Sequence, residues 1–414
     1  MTGRRSHSRV RLKYRAHVEM GQSPPSAEYA QSPNEGLPFL QGTADFGPLT
    51  PVPQVYCASP TKVAAKGDVL FSVRAPVGEL NVADQELGIG RGLCAIRAGA
   101  LWLPRFGWWA LHEARHQLNY VSTGSTYEAV ATEDVANLLV EHAALDEQRT
   151  IADYLDRETA RLDALVAAKE RVLGLLAEKR RALITRAVTR GLDPRIPLRD
   201  SGVPWLGEIP ALWEMWRLGH LALVGNGSTP NRDNPDYWAE GTIPWLNSSV
   251  VNQEEVTASD QFVTATALRE CHLPLVRPGS VLVGITGQGK TRGQAVVLSF
   301  EATINQHIAF ITPLAGRLNS WFLRWALFAA YDFLRSISDD AGGTKGALTC
   351  EAVAALRVPL PSIDEQRAIV AYISLETSKL NSLCAANERT IALLKERRAA
   401  LIAAAVTGRL AECE

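Results

Sequence analysis

Several features that define other protein classes are absent from this sequence of 414 residues. No apolar run reaches the roughly 18 residues of a membrane helix, and no apolar stretch follows the basic N-terminus, so neither a membrane segment nor a secretion signal is predicted. The six Cys residues form no CxxC pair and no zinc-type spacing, which predicts reduced thiols in a cytoplasmic protein. The net charge of -1 gives no overall indication of nucleic-acid binding.

The sequence does contain a long internal repeat. "DEQRTIADYLDRETARLDAL" (146–165) recurs as "DEQRAIVAYISLETSKLNSL" (364–383), 218 positions later. Across 146–192 and 364–410, about 25 of 47 aligned residues are identical without a gap. Weaker similarity continues upstream at offsets that slip from 218 to 206, as small insertions would cause. The chain therefore alternates between variable domains and conserved helices.

The variable domains have a mixed composition, mostly β with some helix. Strands are predicted at 280–285 and 293–300, and a helix is predicted at 321–337. We therefore predict an α+β fold with a pseudo-two-fold internal repeat. The predicted boundaries are a first domain at 1–145, a central helix at 146–192, a linker and second domain at 193–363, and a C-terminal helix at 364–414.

Each conserved helix carries an apolar stripe that repeats every seven residues over about five heptads. Its main row is Leu155, Leu162, Lys169, Leu176 and Leu183 in the first helix, and Ile373, Leu380, Asn387, Leu394 and Leu401 in the second. An interleaved row is predicted at Ile151, Leu165 and Val172, and at Ile369 and Leu383. We expect the helices to pair as a coiled coil, the alternative being that each packs on its own domain. Ser362 with Glu365 predicts a capping box, and Gly191 and Gly408 predict helix ends.

Three motifs typical of catalytic proteins occur in unsuitable surroundings. "GITGQGKT" (284–291) matches a phosphate-binding loop, but strand-forming residues follow it where a helix is required. "HEARH" (112–116) matches a zinc protease motif, but no third ligand is evident. "NPDY" (234–237) resembles an amino-methyltransferase loop, but Asp replaces a Pro and no cofactor loop accompanies it. We therefore predict no catalytic residue, no metal and no cofactor.

The order and duplication of several stretches resemble the DNA-specificity subunit of type I restriction–modification enzymes. The stretches are "MGQSPPSAEY", "GLPFLQG", "GDVLFSVRAPVGELNVA", "STGSTYEAV", "SGVPWLGEIPALWE", "GSTPNRDNPDYWAEGTIPWLNSS", "AGGTKGAL", "VPLPSIDEQRAIVAYI" and "ERRAALIAAAVTGRL". They cover essentially the whole chain. The first domain lacks a counterpart of "SGVPWLGEIPALWE", which predicts a truncated or altered N-terminal strand.

The resemblance implies two tandem target-recognition domains that each read one half of a split site on double-stranded DNA. It also implies that the paired helices act as a spacer, that methyltransferase subunits (two copies are expected) dock around them, and that restriction subunits join the complex. The specificity subunit of this family is not catalytic. Two alternatives are a nucleotide-binding protein that uses 284–291, and a structural adaptor that no longer binds DNA.

Polar turns recur where the two domains align, and they predict the DNA contacts. These residues are Gln41, Arg74, Ser125 and Thr126 in the first domain, and Asn247, Ser248, Ser249, Lys290, Thr291, Arg292, Thr344 and Lys345 in the second. We expect them to lie on one face of each domain. The predicted partner-binding residues are Leu155, Leu162, Leu176, Leu183, Ile373, Leu380, Leu394 and Leu401.

Overall fold

The computed structural model describes residues 8–25, 28–120, 130–287, 289–339 and 347–409. The chain divides into two compact units. The first unit comprises residues 1–170 and 388–414, and the second comprises residues 171–387. Each unit therefore combines one variable domain with parts of both long helices. Among the described residues, no helix is both long and apolar enough to cross a lipid bilayer.

Short strands dominate the first unit. Its strands are β1 (Ser8–Arg11), β2 (Ala16–Met20), β3 (Tyr29–Ala30), β4 (Leu37–Leu40), β5 (Val55–Cys57), β6 (Val63–Ala64), β7 (Val69–Ser72), β8 (Leu80–Val82), β9 (Leu87–Ile89), β10 (Leu93–Ala98) and β11 (Leu139–His142). Its helices are α1 (Pro104–Ala114), α2 (Thr132–Ala136) and the first part of α3 (Leu145–Arg190).

The second unit repeats this mixture. Its strands are β12 (Leu198–Asp200), β13 (Glu208–Pro210), β14 (Glu214–Arg217), β15 (Ala222–Asn226), β16 (Ile243–Leu246), β17 (Glu255–Val256), β18 (Phe262–Val263), β19 (Val281–Gly284), β20 (Ala295–Leu298), β21 (Thr303–Ile304), β22 (Ile308–Pro313) and β23 (Arg357–Leu360). Its helices are α4 (Pro235–Trp238), α5 (Ala265–Glu270), α6 (Ser320–Ala329), α7 (Tyr331–Asp339), α8 (Cys350–Ala355) and the first part of α9 (Ile363–Val406). The predicted helix at 321–337 is thus two helices, which meet at Ala330.

Equivalent strands occupy equivalent places in the two units. One sheet has the order β2-β10-β7-β8 in the first unit and β15-β22-β19-β20-β17 in the second. A second sheet has the order β3-β5-β4-β9-β6 in the first unit and β18-β16-β21 in the second. Each of these sheets contains a parallel pair, which is β4 with β9 in the first unit and β16 with β21 in the second. The strand before each domain pairs with the strand after it, β1 with β11 and β14 with β23. The α+β fold and its duplication are therefore confirmed.

The first unit has an N-terminal strand, β1, whose four described residues pair with β11 as the four residues of β14 pair with β23, so the predicted truncation is not seen in the described part of this strand. Arg9 of β1 lies opposite Glu141 of β11, and its Nε donates to the Glu141 carboxylate at 2.7 Å. The stretch "SGVPWLGEIPALWE" instead forms much of the β12–β13 hairpin, which precedes β14 in the second unit. Within the part of the chain that the structure describes, the first unit has no such hairpin.

The two long helices contact each other inside both units. In the first unit, Leu155 near the start of α3 shares a buried cluster with Val406 at the end of α9. In the second unit, Val188 near the end of α3 shares a cluster with Ile373 near the start of α9. Since the start of each helix meets the end of the other, the helices run antiparallel, and the predicted coiled-coil pairing is confirmed. The same clusters contain residues of the adjoining domain, so each helix also packs on its own domain.

One row of the predicted seam is correct. The interleaved row is correct at Ile151 and Ile369, which are buried, but beyond them it lies one residue later than predicted. The main-row residues Leu155, Leu162, Ile373 and Leu380 are buried, and the others of that row are half-buried. The predicted interleaved residues Leu165, Val172 and Leu383 are 44%, 38% and 51% exposed. Buried seam positions four residues after the main row are Thr159, Ala187, Thr377, Ile391 and Ala405. Spacings of three and four residues alternate in any such seam, so the pattern could not choose between neighbouring apolar positions.

Both signals for the start and the end of the helices operate in the structure. Gly191 and Gly408 follow the two helices with φ angles of 71° and 74°, in the left-handed region that favours glycine. The backbone N–H of Glu365 donates to Ser362 Oγ at 3.3 Å, which confirms the N-cap. The Glu365 carboxylate accepts from the indole N–H of Trp213 at 3.1 Å, so it holds the linker. Among the described residues it does not reach back to the backbone of Ser362, so the second half of the predicted capping box is wrong.

A buried glutamine fastens the start of α3 to the first domain. Gln148 has no exposed surface. Its Oε1 accepts from the backbone N–H of Leu103 at 2.8 Å, just before α1. Its Nε2 donates to the carbonyl oxygens of Leu101 at 3.0 Å and Ala143 at 2.9 Å. Two of the contacts reach the segment before α1 and the third reaches the chain just before α3, so one side chain fastens the start of the helix to the domain.

Gln366 makes the same three contacts at the start of α9. Its Oε1 accepts from the backbone N–H of Asn319 at 2.8 Å. Its Nε2 donates to the carbonyl oxygens of Arg317 and Pro361, both at 2.9 Å. The glutamine of the duplicated "DEQR" therefore performs one structural role twice, which explains physically why this residue is the same in both halves.

Candidate nucleic-acid interface

Three loops meet at one edge of the first unit, and we call this place the first turn edge. It consists of the loop after β4, the loop after β7 and the turn between β9 and β10. In that turn, Gly90 donates its backbone N–H to the carbonyl of Leu40 at 2.7 Å, and Gly92 donates to that of Gln41 at 3.2 Å. The carbonyl of Gly92 accepts from the N–H of Val73 at 2.9 Å. The β9–β10 turn therefore lies between the other two loops and joins them.

The second unit has a matching second turn edge, formed by the loops after β16 and β19 and the turn between β21 and β22. Asn305 donates its backbone N–H to the carbonyl of Leu246 at 3.0 Å. Ile285 donates to the carbonyl of His307 at 3.0 Å. These bonds are the counterparts of those made by Gly90 and Val73. The two units thus hold their loops with one duplicated backbone network.

A fourth segment reaches each turn edge. The backbone N–H of Val130 donates to the carbonyl of Val73 at 2.8 Å, and that of Leu348 donates to the carbonyl of Ile285 at 2.8 Å. The predicted contact residues of these segments are Ser125 and Thr126, and Thr344 and Lys345. All four lie outside the described residues.

The predicted residues of the first domain that are described lie together. Gln41 directly follows β4, and Arg74 lies shortly after the end of β7. Both side chains are exposed at the first turn edge. Gln41 is joined through Gly92 to Val73, the neighbour of Arg74. Their role in DNA contact stays a prediction, to which their common location lends support.

The predicted residues of the second domain fall into two loops of the second turn edge. Asn247, after β16, caps a short 3-10 helix: its Oδ1 accepts from the backbone N–H of Ser249 at 2.9 Å and from the Ser249 hydroxyl at 2.6 Å. Ser248 is half-buried and Ser249 is exposed. Lys290 is exposed in the loop after β19 and Thr291 is half-buried beside it. Asn247 therefore shapes its loop, while Ser249 and Lys290 are accessible.

Arg292 does not fit a direct contact with DNA, because its side chain is only 3% exposed. It lies where the loop after β19 returns toward β20. α7 holds the same loop from outside, since the Tyr331 hydroxyl donates to the Lys290 carbonyl at 2.9 Å. The sequence placed Arg292 next to Lys290 in a polar turn, but chain direction reverses there and takes the two side chains to different surroundings.

Sequence reasoning missed the residues at the centre of each turn edge. Arg91 is exposed in the β9–β10 turn, and Gln306 is exposed in the equivalent β21–β22 turn. The signal was the run "GIGRGL" (88–93), in which glycines alternate around one arginine. Such a run indicates close backbone approach on both sides of the arginine.

An aromatic cluster supports the second turn edge. The Arg232 guanidinium lies 4.1 Å from the ring centroid of Trp238 and 4.7 Å from that of Trp245. The Trp245 indole N–H donates to the carbonyl of Ser228 at 3.2 Å. The segment that precedes the edge is thus held against a buried tryptophan, which restricts the neighbouring Thr229.

The three catalytic-type motifs have structural surroundings that suit other roles. The described residues of the loop in 284–291, which joins β19 to β20, open no helix, so they offer no helix N-terminus to a phosphate. In "HEARH", α1 ends at Ala114, between the two histidines. Burial, with the charges of Arg115 and Arg398, lowers the pKa of His112 to about 4. Within the described ranges, no three His, Cys, Asp or Glu residues form a metal-binding group. "NPDY" forms a short helix that Asn234 caps.

The eight predicted partner-binding residues lie in the seam between the helices. Leu155, Leu162, Ile373 and Leu380 are buried, while Leu176, Leu183, Leu394 and Leu401 are half-buried. Their side chains therefore serve helix pairing first. Large apolar side chains outside the seam are exposed in both helices, at Leu165, Leu175, Leu383 and Leu393.

Known proteins match both halves of the sequence. Residues 16–173 and 210–387 match the family model described as "Type I restriction modification DNA specificity domain". A putative type I restriction enzyme MjaX specificity subunit of Methanocaldococcus jannaschii is 35% identical over 167 residues, which are 38% of this chain and 39% of that protein. The EcoR124I/EcoR124II specificity subunit of Escherichia coli is 23% identical over 185 residues, 44% of this chain and 45% of that protein. The matches thus span less than half the length of either relative.

Solved structures match the fold over nearly the full length. A chain from a structure of "complex assembly" and "conformational transition of the type I R-M system" has a TM-score of 0.76 at 19% identity and covers 98% of both chains. The HsdS subunit of Thermoanaerobacter tengcongensis has a TM-score of 0.56 at 20% identity, and covers 98% of this chain and 97% of that one. At such identities the likeness concerns the fold. Because the family model matches most of the chain, once in each half, this chain belongs to the type I restriction–modification DNA specificity family.

Proposed function

We propose that this chain is the DNA-recognition subunit of a type I restriction–modification complex and that it reads a bipartite site on double-stranded DNA. The observation that carries this proposal is the duplicated turn edge. Both units use one network of backbone hydrogen bonds, yet they place different exposed residues on it, Arg91 in one and Gln306 in the other. A constant frame with divergent side chains suits two domains that read two different half-sites.

The proposed role is recognition and assembly without catalysis by this chain. Methyltransferase and restriction subunits would supply the chemistry. Two observations support this division. The loop in 284–291 lies between strands, and burial keeps His112 neutral at pH 7 by lowering its pKa to about 4. In their described residues, neither site has the arrangement that nucleotide binding or zinc hydrolysis requires.

The helix pair is the proposed docking surface for two methyltransferase subunits. Leu165 is 44% exposed and Leu383, its counterpart 218 positions later, is 51% exposed. Leu175 and Leu393 form a second related pair, and both are 63% exposed. Apolar side chains that repeat on both helices outside their own seam would present two similar surfaces to two copies of one partner.

Substituting leucines that lie outside the seam tests docking of the methyltransferase without disturbing the pairing of the two helices. Leu165→Asp together with Leu383→Asp should prevent co-purification of the methyltransferase subunit, since each places a charge in an apolar contact. The unfolding temperature of the subunit alone should change little, because both positions are exposed. Leu49→Asp with Leu223→Asp is the matched control on exposed leucines away from the helices. Normal recovery of the methyltransferase with the helix variant would contradict the docking surface.

The recognition role itself is tested by methylation mapping. The chain is co-expressed with its methyltransferase subunits, and modified bases are mapped across a genome. We expect one motif with two half-sites at a constant separation. A single uninterrupted motif would contradict the bipartite proposal. No sequence preference, together with no shift of random DNA in a gel, would favour the structural adaptor.

A further inference from the structure

Arg91 occupies the outer position of a tight turn at the centre of the first turn edge. The backbone N–H of Leu93 donates to the carbonyl of Gly90 at 3.0 Å and closes this turn. In the second unit, Ile308 donates to the carbonyl of Asn305 at 3.3 Å and closes the equivalent turn around Gln306. The same type of backbone turn therefore presents Arg91 in the first unit and Gln306 in the second.

The backbone that carries Arg91 packs closely against neighbouring loops and leaves little room for side chains at the two flanking glycines. A Cβ atom at Gly92 would lie 2.3 Å from the carbonyl oxygen of Gln41, and one at Gly90 would lie 3.0 Å from Ser23 Oγ. Ser23 Oγ also accepts from the backbone N–H of Arg91 at 3.1 Å. The close packing on both sides holds the backbone of the turn, so the point from which the arginine side chain extends is in place before any ligand arrives.

The Arg91 guanidinium is available for a ligand. It is exposed, and among the described residues no hydrogen bond or ion pair holds its side chain. The exposed Arg74 and Gln41 lie in the two loops that the same turn joins. An arginine on a rigid turn, flanked by a second arginine and an amide, is a suitable donor group for a base edge in the major groove.

Gln306 is oriented by side-chain contacts in the second unit. The Thr229 hydroxyl donates to Gln306 Oε1. Thr229 stands where Ser23 stands in the first unit, 206 positions earlier. Gln306 Nε2 lies 3.3 Å from His307 Nε2. The amide of Gln306 is therefore held at the edge, although Gln306 itself is exposed.

We infer that this turn position reads a base in each half-site, with Arg91 specifying guanine and Gln306 specifying adenine. The inference rests on the proposed DNA-recognition function. Arginine donates two hydrogen bonds to O6 and N7 of guanine, whereas a glutamine amide accepts from N6 and donates to N7 of adenine. The duplicated frame makes the two positions equivalent, and the different side chains make the two half-sites different.

The experiment exchanges the two residues in the complex with methyltransferase subunits. Arg91→Gln should replace one guanine of the first half-site by adenine in the mapped methylation motif and leave the second half-site unchanged. Gln306→Arg should make the reciprocal change, from adenine to guanine, in the second half-site only. The preference for the new base should be on the order of 10- to 100-fold. Arg11→Gln, which removes an exposed arginine of β1 away from the turn edge, is the control and should leave the motif unchanged.

Two results would overturn the inference and leave the proposed function standing. If Arg91→Ala weakens binding to all sequences alike and lowers the salt dependence by about one counterion, Arg91 contacts a phosphate. If both exchanges leave motif and affinity unchanged, the turn does not face DNA. Failure of the proposed function is distinct, because the unmodified complex itself would then show no sequence preference.

Discussion

Gln148→Leu is expected to destabilise the first unit by about 3–5 kcal/mol. The substitution removes three hydrogen bonds, to Leu103, Leu101 and Ala143. It also leaves one backbone N–H and two carbonyl groups without that partner, around a glutamine side chain that itself has no exposed surface. Each unsatisfied buried group costs about 1–3 kcal/mol, and the added apolar surface offsets part of the sum. A loss of this size is a large fraction of the roughly 5–15 kcal/mol that stabilise a domain.

Hydrogen exchange measured by mass spectrometry can localise the effect. In Gln148→Leu, peptides that contain Leu103 should exchange at least 100-fold faster, which corresponds to about 2.7 kcal/mol or more. Peptides around Asn319 should keep their protection. Gln366→Leu should give the reverse pattern, because Gln366 holds the N–H of Asn319. Gln54→Leu is the control, since Gln54 is exposed.

Either a small loss of stability or an equal loss in both units would contradict the role of Gln148 as an anchor of the first unit. If Gln148→Leu costs less than about 1 kcal/mol, the three backbone groups find other partners, and the glutamine is not an anchor. Equal loss of protection in both units would also contradict it. The anchor would then act on the whole chain and not on the unit that contains it.

Two more predictions follow from the helices and the buried histidine. Burial lowers the pKa of His112 from 6.5 to about 4. Between these two pH values the unfolded chain therefore binds more protons than the folded chain. The free energy of unfolding of the first unit should consequently fall as the pH drops from about 6.5 to 4. The loss should reach at most about 3 kcal/mol, and His112→Gln should abolish it in unfolding curves across that range. Seven residues inserted after Leu173 and seven after Ile391 preserve the heptad and add about 10 Å. Since the proposed function makes the helix pair a spacer, the half-site gap should grow by about three base pairs in methylation maps, and an unchanged gap would exclude the spacer role.

Local sequence signals were sufficient for the features that neighbouring residues control. The helix ends at Gly191 and Gly408 depend on backbone freedom at one position, and the sequence predicted them correctly. The main row of the seam follows from a seven-residue period, and it is buried or half-buried as expected. The duplication required only comparison of the chain with itself. Such features are encoded within a few turns of chain.

Tertiary structure decided the features that depend on distant segments. Leu165 and Thr159 both lie at seam-compatible spacing, and only the partner helix determines that Thr159 is buried and Leu165 exposed. Arg292 follows Lys290 by two residues, yet the reversal of the chain buries it. Arg91 reaches the turn edge because Gly90 and Gly92 pack against loops about 50 residues upstream. Periodicity cannot show which segments meet, since that choice is made by packing and by backbone hydrogen bonds between segments far apart in sequence.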